Sequence, residues 1–249
     1  MRTEELVAPS KETRSNARAQ GVPPGRIGLE MASPSSRRIE IEGHSIHYLD
    51  EGDGPPLLFV HSGTGSFLWH DVIARLRERF RCVALSVPRA WPSRRAEGPG
   101  ASSRILESFV RTLDLEDLTL VLHDLGGPVA LGIAQCEHDR IQALVVTESF
   151  GWPLAPGRFI GRTDAALTDD DLREVDRTLR TVLNDRPVLL VFGQESPMVK
   201  AGFPERWRER FPDAGLLLVE GSHRFPMADA PDLVARAIKG WWREEVFAA

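Results

Sequence analysis

The alternation of short apolar runs with helical patterns constrains the fold of this chain more than any other feature. PPLLFVH (55–61), LTLVLH (118–123) and IQALVVTE (141–148) are apolar almost throughout, as expected for strands that are covered on both faces. Segments with the period of a helix separate these runs. Strands that alternate with helices form a parallel sheet with helices on both faces, so the predicted fold class is α/β.

The same patterns predict the other elements of the fold. RRIEIEG and HSIHYLDEG are typical of a hairpin with Gly43 at its turn. Three more strands are predicted near 79–86, 187–193 and 215–221. Helices are predicted over about 67–79, 102–113, 126–135, 168–184, 204–211 and 231–242.

The N-terminal residues 1–36 differ in composition from the rest of the chain. They are rich in Arg, Ser, Pro, Glu and Gly and have no apolar period, so we interpret them as a disordered extension of a domain that spans 37–249. Met31 lies just before the ordered pattern and is an alternative translation start.

The charge balance and the apolar content limit which binding partners and which cell compartment are expected. The chain has 31 basic and 36 acidic residues, and this lack of a basic footprint argues against a nucleic-acid partner. With no apolar run of spanning length and no signal-peptide pattern, we expect a cytoplasmic protein without a membrane segment. Cys82 and Cys136 are expected to be free, buried thiols. The oligomeric state is left open.

The stretch TLVLHDLGGPVALGIA (119–134) places a carboxylate at the junction of a strand and a helix. Asp124 ends the apolar run, and Gly126 and Gly127 allow a helix to start close against the strand. This pattern matches a nucleophile elbow in which Asp replaces the more common Ser. A simple helix N-cap is the alternative interpretation, because Asp is a favoured capping residue.

A histidine follows the last predicted strand. His223 lies in the loop of VEGSHRFPMADAPDLVARAI, just before the last helix. A nucleophile, then an acid, then a late His is the chain order of α/β-hydrolases. An incidental loop His is the alternative.

Four segments together resemble the haloalkane dehalogenases and their α/β-hydrolase relatives, which include epoxide hydrolases and coelenterazine luciferases. The resemblance covers roughly 39–155 and 187–240, and it is carried by HYLDEGDGPPLLFVHSGTGSFLWHDVIARL, VLHDLGGPVALGIA, VVTESFGWPL and GSHRFPMADAPDLVARAI. It implies an α/β-hydrolase fold and the branch of that fold in which Asp is the nucleophile.

The resemblance implies a two-step reaction. Asp124 attacks an sp³ carbon and becomes an alkyl ester, and His223 activates the water that hydrolyses this ester. The backbone N–H groups of Leu125 and Gly63 form the oxyanion hole. The family places the acid that orients the His either at the end of the sixth strand, here Glu148, or after the seventh, where this chain has Ser196 preceded by Glu195. Glu148 is the predicted acid and Glu195 the alternative.

The chain also departs from the family pattern. The resemblance places halide-binding Trp and Asn side chains at the positions of Leu125 and Gly63, which have no side-chain donor. Trp152 and Trp91 are candidate replacements near the predicted site. The lid, at about 149–167, is much shorter than the helical cap of relatives, which predicts an open, wetter site.

The predicted function is a hydrolase of the haloalkane dehalogenase type that acts on a small apolar organic substrate. A catalytically decayed member that binds an apolar ligand or a partner is the main alternative, and esterase-like or epoxide hydrolase-like activity is the next. Epoxide opening is disfavoured because Tyr48 is the only tyrosine, whereas that branch uses two in its cap. No His, Cys or Asp cluster has metal-ligand spacing, so we expect no metal site and no cofactor.

Overall fold

An eight-stranded sheet forms the centre of the protein. The computed structural model describes residues 36–62, 66–87, 101–154 and 168–248. The strand order is β1-β2-β4-β3-β5-β6-β7-β8, with β1 and β2 antiparallel and β3 to β8 parallel. The strands are β1 Ser36–Ile41, β2 His44–Glu51, β3 Pro56–Ser62, β4 Arg81–Val87, β5 Leu118–Asp124, β6 Ile141–Ser149, β7 Val188–Gly193 and β8 Gly215–Val219.

Helices flank this sheet on both sides. In the described ranges they are α1 His70–Leu76, α2 Ala101–Thr112, α3 Gly126–Gly132, α4 Ala134–Glu137, α5 Asp169–Thr181, α6 Pro197–Lys200, α7 Phe203–Arg208, α8 Pro226–Asp229 and α9 Pro231–Trp241. Turns of 3₁₀-helix cover Ser66–Trp69 and His138–Arg140, and a π-helical turn follows α9 at Trp242–Val246.

The core has two layers because the central strands are apolar on both faces. In β5, Leu120 and Leu122 pack into one apolar cluster while Val121 packs into the other. Alternate side chains of a strand point to opposite faces, so a run without polar residues requires cover on both sides. The predicted α/β class and doubly covered parallel sheet are confirmed.

Most of the predicted elements are found, with differences at their ends. The hairpin turns at Gly43, and α5 begins with a capping box in which Thr168 Oγ accepts from the Asp171 N–H at 3.1 Å. The helix predicted over 126–135 is divided into α3 and α4. Two short helices that begin with proline, α6 and α8, were not predicted.

The two thiols differ in exposure. Cys82 is buried, as predicted, but Cys136 is exposed, so the prediction of two buried thiols is wrong for Cys136. α4 turns this position to solvent while it buries its neighbours Ala134 and Glu137.

Several predicted features lie outside the described residues: residues 1–35 of the N-terminal extension, Gly63, Trp91 and most of the lid. Ser36, the last residue of the predicted extension, is instead the first residue of β1. Within the described ranges, the helices are all too short or too polar to cross a bilayer.

Candidate active site

Asp124 stands at a sharp turn between β5 and α3. Its φ is +51°, a left-handed conformation that is strained for a residue with a side chain. A Cβ at Gly126 would lie 2.4 Å from the Cα of His61, so only glycine allows α3 to start this close to β3. The residue at the N-cap of α3 is Leu125, and no side chain caps the helix. The N-cap interpretation of Asp124 is therefore wrong, and the geometry is that of an elbow.

Glu148 occupies a β-bulge at the end of the neighbouring strand. Opposite β5, Thr147 pairs with His123 and Ser149 pairs with Asp124, which leaves Glu148 as the extra residue. Its φ is +45°. A bulge of this kind redirects a side chain at the edge of a sheet. The Ser149 hydroxyl donates to the Asp124 carbonyl at 2.7 Å and so joins the two strand ends.

The Glu148 carboxyl is buried, with 1% of the residue exposed. It accepts hydrogen bonds from the Gly193 N–H at 2.7 Å and from the Ser196 hydroxyl at 2.5 Å. Burial raises the pKa of Glu148 to about 7, although both hydrogen bonds act in the opposite direction. The family resemblance places an acid after the seventh strand, where this chain has Ser196. The Ser196 hydroxyl instead donates a hydrogen bond to Glu148 at the end of the adjacent strand, β6.

His223 is exposed in the loop between β8 and α8. Its Nδ1 lies 3.1 Å from the carbonyl oxygen of Glu195. Because a carbonyl only accepts, Nδ1 carries the hydrogen, and Nε2 is the basic nitrogen of the neutral ring. The Glu195 carboxylate lies 3.7 Å from Lys200 Nζ, so Glu195 meets the histidine through its backbone.

The structure therefore joins the predicted residues only in part. Asp124 and Glu148 come to adjacent strand ends, and Glu195 contacts His223. In the described residues, the carboxyl of Glu148 bonds to Gly193 and Ser196 and not to His223. The assignment of these residues to a catalytic triad stays a prediction.

Arg224 contacts Asp124, and the sequence did not predict this contact. Its Nη2 lies 3.3 Å from Asp124 Oδ2, and the two side chains are 46% and 22% exposed. The available signal was a cation directly after His223, but spacing does not show which residue of a loop faces the elbow.

Two contacts fix the loop that carries Arg224. The His123 ring is buried, which lowers its pKa, and its Nε2–H donates to the Arg224 carbonyl at 3.1 Å. At the end of β7, a Cβ on Gly193 would lie 2.0 Å from the carbonyl oxygen of His223. The loop backbone therefore packs directly on the strand ends next to Asp124.

Trp152 lies in the apolar core and is fully buried. Its ring packs edge-on against Phe203 and Trp207, and the guanidinium groups of Arg206 and Arg210 each lie 4.6 Å from its centroid. These neighbours are packing partners, and a contact between Trp152 and substrate stays a prediction.

Leu125 directly follows Asp124 and has helical backbone angles. Its N–H stays the predicted oxyanion donor.

Tyr48, the single tyrosine, is buried in β2 against Phe109. No group of three or more His, Cys, Asp or Glu side chains in the described part of the chain is arranged to hold a metal ion.

Comparison with known proteins relates this geometry to established folds. A family model described as alpha/beta hydrolase fold matches residues 55–183. A haloalkane dehalogenase loop variant from Bradyrhizobium elkanii superposes with a TM-score of 0.69 at 15% identity, over 86% of this chain and 98% of that structure. The predicted α/β-hydrolase fold is confirmed.

Relatives of known activity match a shorter part of the chain. Haloalkane dehalogenase 2 of Mycobacterium tuberculosis is 37% identical over 123 residues, which are 47% of this chain and 43% of that protein. A cis-3-alkyl-4-alkyloxetan-2-one decarboxylase of Xanthomonas campestris is 30% identical over 136 residues, or 48% of this chain and 45% of that protein. The chain thus matches less than half the length of these relatives, and the predicted resemblance to haloalkane dehalogenases is confirmed over that part.

Proposed function

Because the chain belongs to the alpha/beta hydrolase fold family, we propose that it is a hydrolase that forms a covalent ester on Asp124. The proposed substrates are small, apolar, haloalkane-like molecules, as the dehalogenase names of its relatives suggest. The observation that carries this proposal is the strained elbow at Asp124, which holds a partly exposed carboxylate at the carboxyl edge of the sheet. Strain of this kind persists where surrounding structure supports it, commonly at active sites.

The first step uses the carboxylate as a nucleophile. A carboxylate oxygen of Asp124 attacks an sp³ carbon and displaces its leaving group, so that an alkyl ester forms. A carboxylate is itself a nucleophile and needs no adjacent base for this attack.

The second step assigns His223 as the general base. Its Nε2 takes a proton from water, which attacks the ester carbonyl of Asp124. The Nδ1 contact with the Glu195 carbonyl supports this role, because it fixes the tautomer in which Nε2 is basic. The N–H groups of Leu125 and Gly63 are the proposed oxyanion donors.

The charge on Glu148 acts on this site through space. An ionised Glu148 is expected to stabilise the positive charge that develops on His223, and it attracts the permanent charge of the neighbouring Arg224. Since the pKa of Glu148 is about 7, the hydrolysis step is expected to accelerate as pH rises through 7.

A trapping experiment tests the proposal directly. His223→Ala lacks the base for the second step, so an ester on Asp124 should accumulate. The variant is incubated separately with 1-bromobutane, an epoxide and an activated ester, and its intact mass is measured before peptide mapping. An adduct on Asp124 that is absent from His223→Ala/Asp124→Asn supports the proposal, and its mass identifies the reacting class. Folded protein without any adduct on Asp124 overturns it.

A second candidate function is binding without turnover, and the Arg224–Asp124 ion pair favours it. A cation against a carboxylate stabilises the charged form and makes it a weaker nucleophile. In that case an apolar ligand binds equally well to the wild type and to Asp124→Asn, and no adduct forms.

A further inference from the structure

Arg224 places a positive charge at the reaction centre that the residues predicted from sequence do not include. Its guanidinium contacts Asp124 Oδ2 at 3.3 Å, while Leu125, the residue after the nucleophile, has no side-chain donor. In the described part of the chain, Asp124 is the one carboxylate to which Arg224 donates a hydrogen bond. Formation of an ester on Asp124 neutralises this partner, so the guanidinium loses the one carboxylate to which it is hydrogen-bonded in the described residues.

We propose that Arg224 binds the anion that leaves when Asp124 is alkylated. This inference rests on the proposed function and names the group that pairs with the anion released in its first step. The Asp124 oxygen forms a bond to carbon as the carbon–bromine bond breaks, and the electron pair departs with bromide. One negative charge moves from the carboxylate to the leaving atom, and no proton is transferred.

The anchoring of the loop supports this role. His123 holds the Arg224 carbonyl at 3.1 Å, so the main chain is fixed over the elbow, while the side chain is 46% exposed and has room to change its partner. Leaving atoms depart on the side of carbon opposite the nucleophile, so the guanidinium must shift by several ångströms. A long arginine side chain with a fixed backbone can make that shift. Charge-assisted hydrogen bonds to anions are the strong ones, and arginine keeps its charge at every relevant pH.

Bromide binding tests the proposal without any turnover. Asp124→Asn imitates the neutral, esterified side chain, and Asn tolerates a positive φ better than most residues, so the variant is expected to fold. The line width of the bromide ⁸¹Br NMR signal is measured with each protein. We expect clear excess broadening with Asp124→Asn, less with the wild type, and none with Asp124→Asn/Arg224→Gln.

A matched control separates this site from any free arginine. Arg173 also pairs with an aspartate, Asp170, on an exposed helix face. Asp170→Asn frees that guanidinium and should leave the bromide signal as narrow as in the wild type. The proposal is overturned if Asp124→Asn broadens the signal no more than the wild type or Asp170→Asn does. It is also overturned if the broadening survives Arg224→Gln.

A kinetic measurement distinguishes the two sources of an anion, which are the leaving halide and a carboxylate carried by the substrate. Adduct formation is timed in His223→Ala with and without Arg224→Gln, using 1-bromobutane and 4-bromobutanoate. If Arg224 accepts bromide, its loss slows both reactions by about 10- to 100-fold, the range of one charge-assisted hydrogen bond. Slowing confined to 4-bromobutanoate overturns the leaving-group role in favour of a substrate-carboxylate site. An unchanged or faster reaction, as expected if Arg224 only restrains Asp124, also overturns it.

The two proposals fail differently. Absence of every adduct in His223→Ala overturns the proposed hydrolase, whereas the bromide measurement remains informative about Arg224 alone. Adducts that form at rates independent of Arg224 overturn the inference and leave the hydrolase standing.

Discussion

Asp124 and Glu148 lie at the ends of neighbouring strands and have nearly the same φ, yet their carboxyl groups have different environments. Both residues have positive φ, +51° and +45°. The side chain of Asp124 is partly exposed and meets a guanidinium, whereas Glu148 is buried and meets a hydroxyl and a backbone N–H. The elbow and the bulge thus aim the two side chains, while burial raises the pKa of Glu148 and its hydrogen bonds offset that rise only in part.

The largest expected effect is the difference in activity between substitutions of Asp124 and of Glu148. Asp124→Asn removes the nucleophile and should abolish adduct formation and turnover, a loss of about 10⁴-fold or more. Glu148→Gln keeps the nucleophile and should cost far less, on the order of 10-fold, because it acts through space. Single-turnover rates with 1-bromobutane measure both. Equal losses in the two variants would mean that the carboxylates act as one unit.

The second expected effect is a pH dependence of the free energy of unfolding that comes from Glu148. Because the pKa of Glu148 is about 7 in the folded protein and lower when unfolded, the folded state binds the extra proton between these values. The free energy of unfolding therefore falls as pH rises, by about 3 kcal/mol in total between about pH 4.5 and pH 7. Urea unfolding near pH 5 and near pH 8 measures this for the wild type against Glu148→Gln. If the difference in unfolding free energy between the wild type and Glu148→Gln is the same at both pH values, the prediction is contradicted.

A smaller effect is expected at the hydroxyl that supports Glu148. Ser196→Ala removes one of the donors to the buried carboxyl, which should raise the pKa of Glu148 further and destabilise the fold by about 1–3 kcal/mol at high pH. Ser222, whose hydroxyl bonds to Asp229 near the same loop, provides the control Ser222→Ala. Chemical denaturation near pH 5 and pH 8 tests this, and a loss in Ser196→Ala that does not grow with pH would count against it.

The smallest effect is expected at the hydrogen bond that joins the two strand ends. Ser149→Ala loses the bond to the Asp124 carbonyl, at a cost of about 1 kcal/mol. Adduct formation should slow only slightly, because Gly126 still allows the tight turn. Thermal unfolding and the single-turnover rate are compared, and a rate loss as large as that of Asp124→Asn would show that the elbow depends on this bond.

Much of the fold could be predicted from sequence because strand and helix periods are local properties. The six parallel strands lie where apolar runs predicted them, and the two hairpin strands lie where RRIEIEG and HSIHYLDEG predicted them. The elbow followed from Asp124 and the two glycines after it. Cys136 and the N-cap alternative for Asp124 show the limits, since solvent exposure of a helix face and the choice of capping residue depend on how elements dock.

Sequence by itself determined which residues stand at the carboxyl edge of the sheet, because each of them directly follows an apolar run. It also determined the elbow, since only glycine fits against the adjacent strand. Tertiary structure alone decided that Arg224 faces Asp124, that Ser196 rather than a histidine bonds to Glu148, and that Trp152 is buried. The physical reason is distance along the chain: these contacts join residues about 50 to 100 positions apart, and their geometry depends on the loop backbone and the packing around it rather than on local pattern.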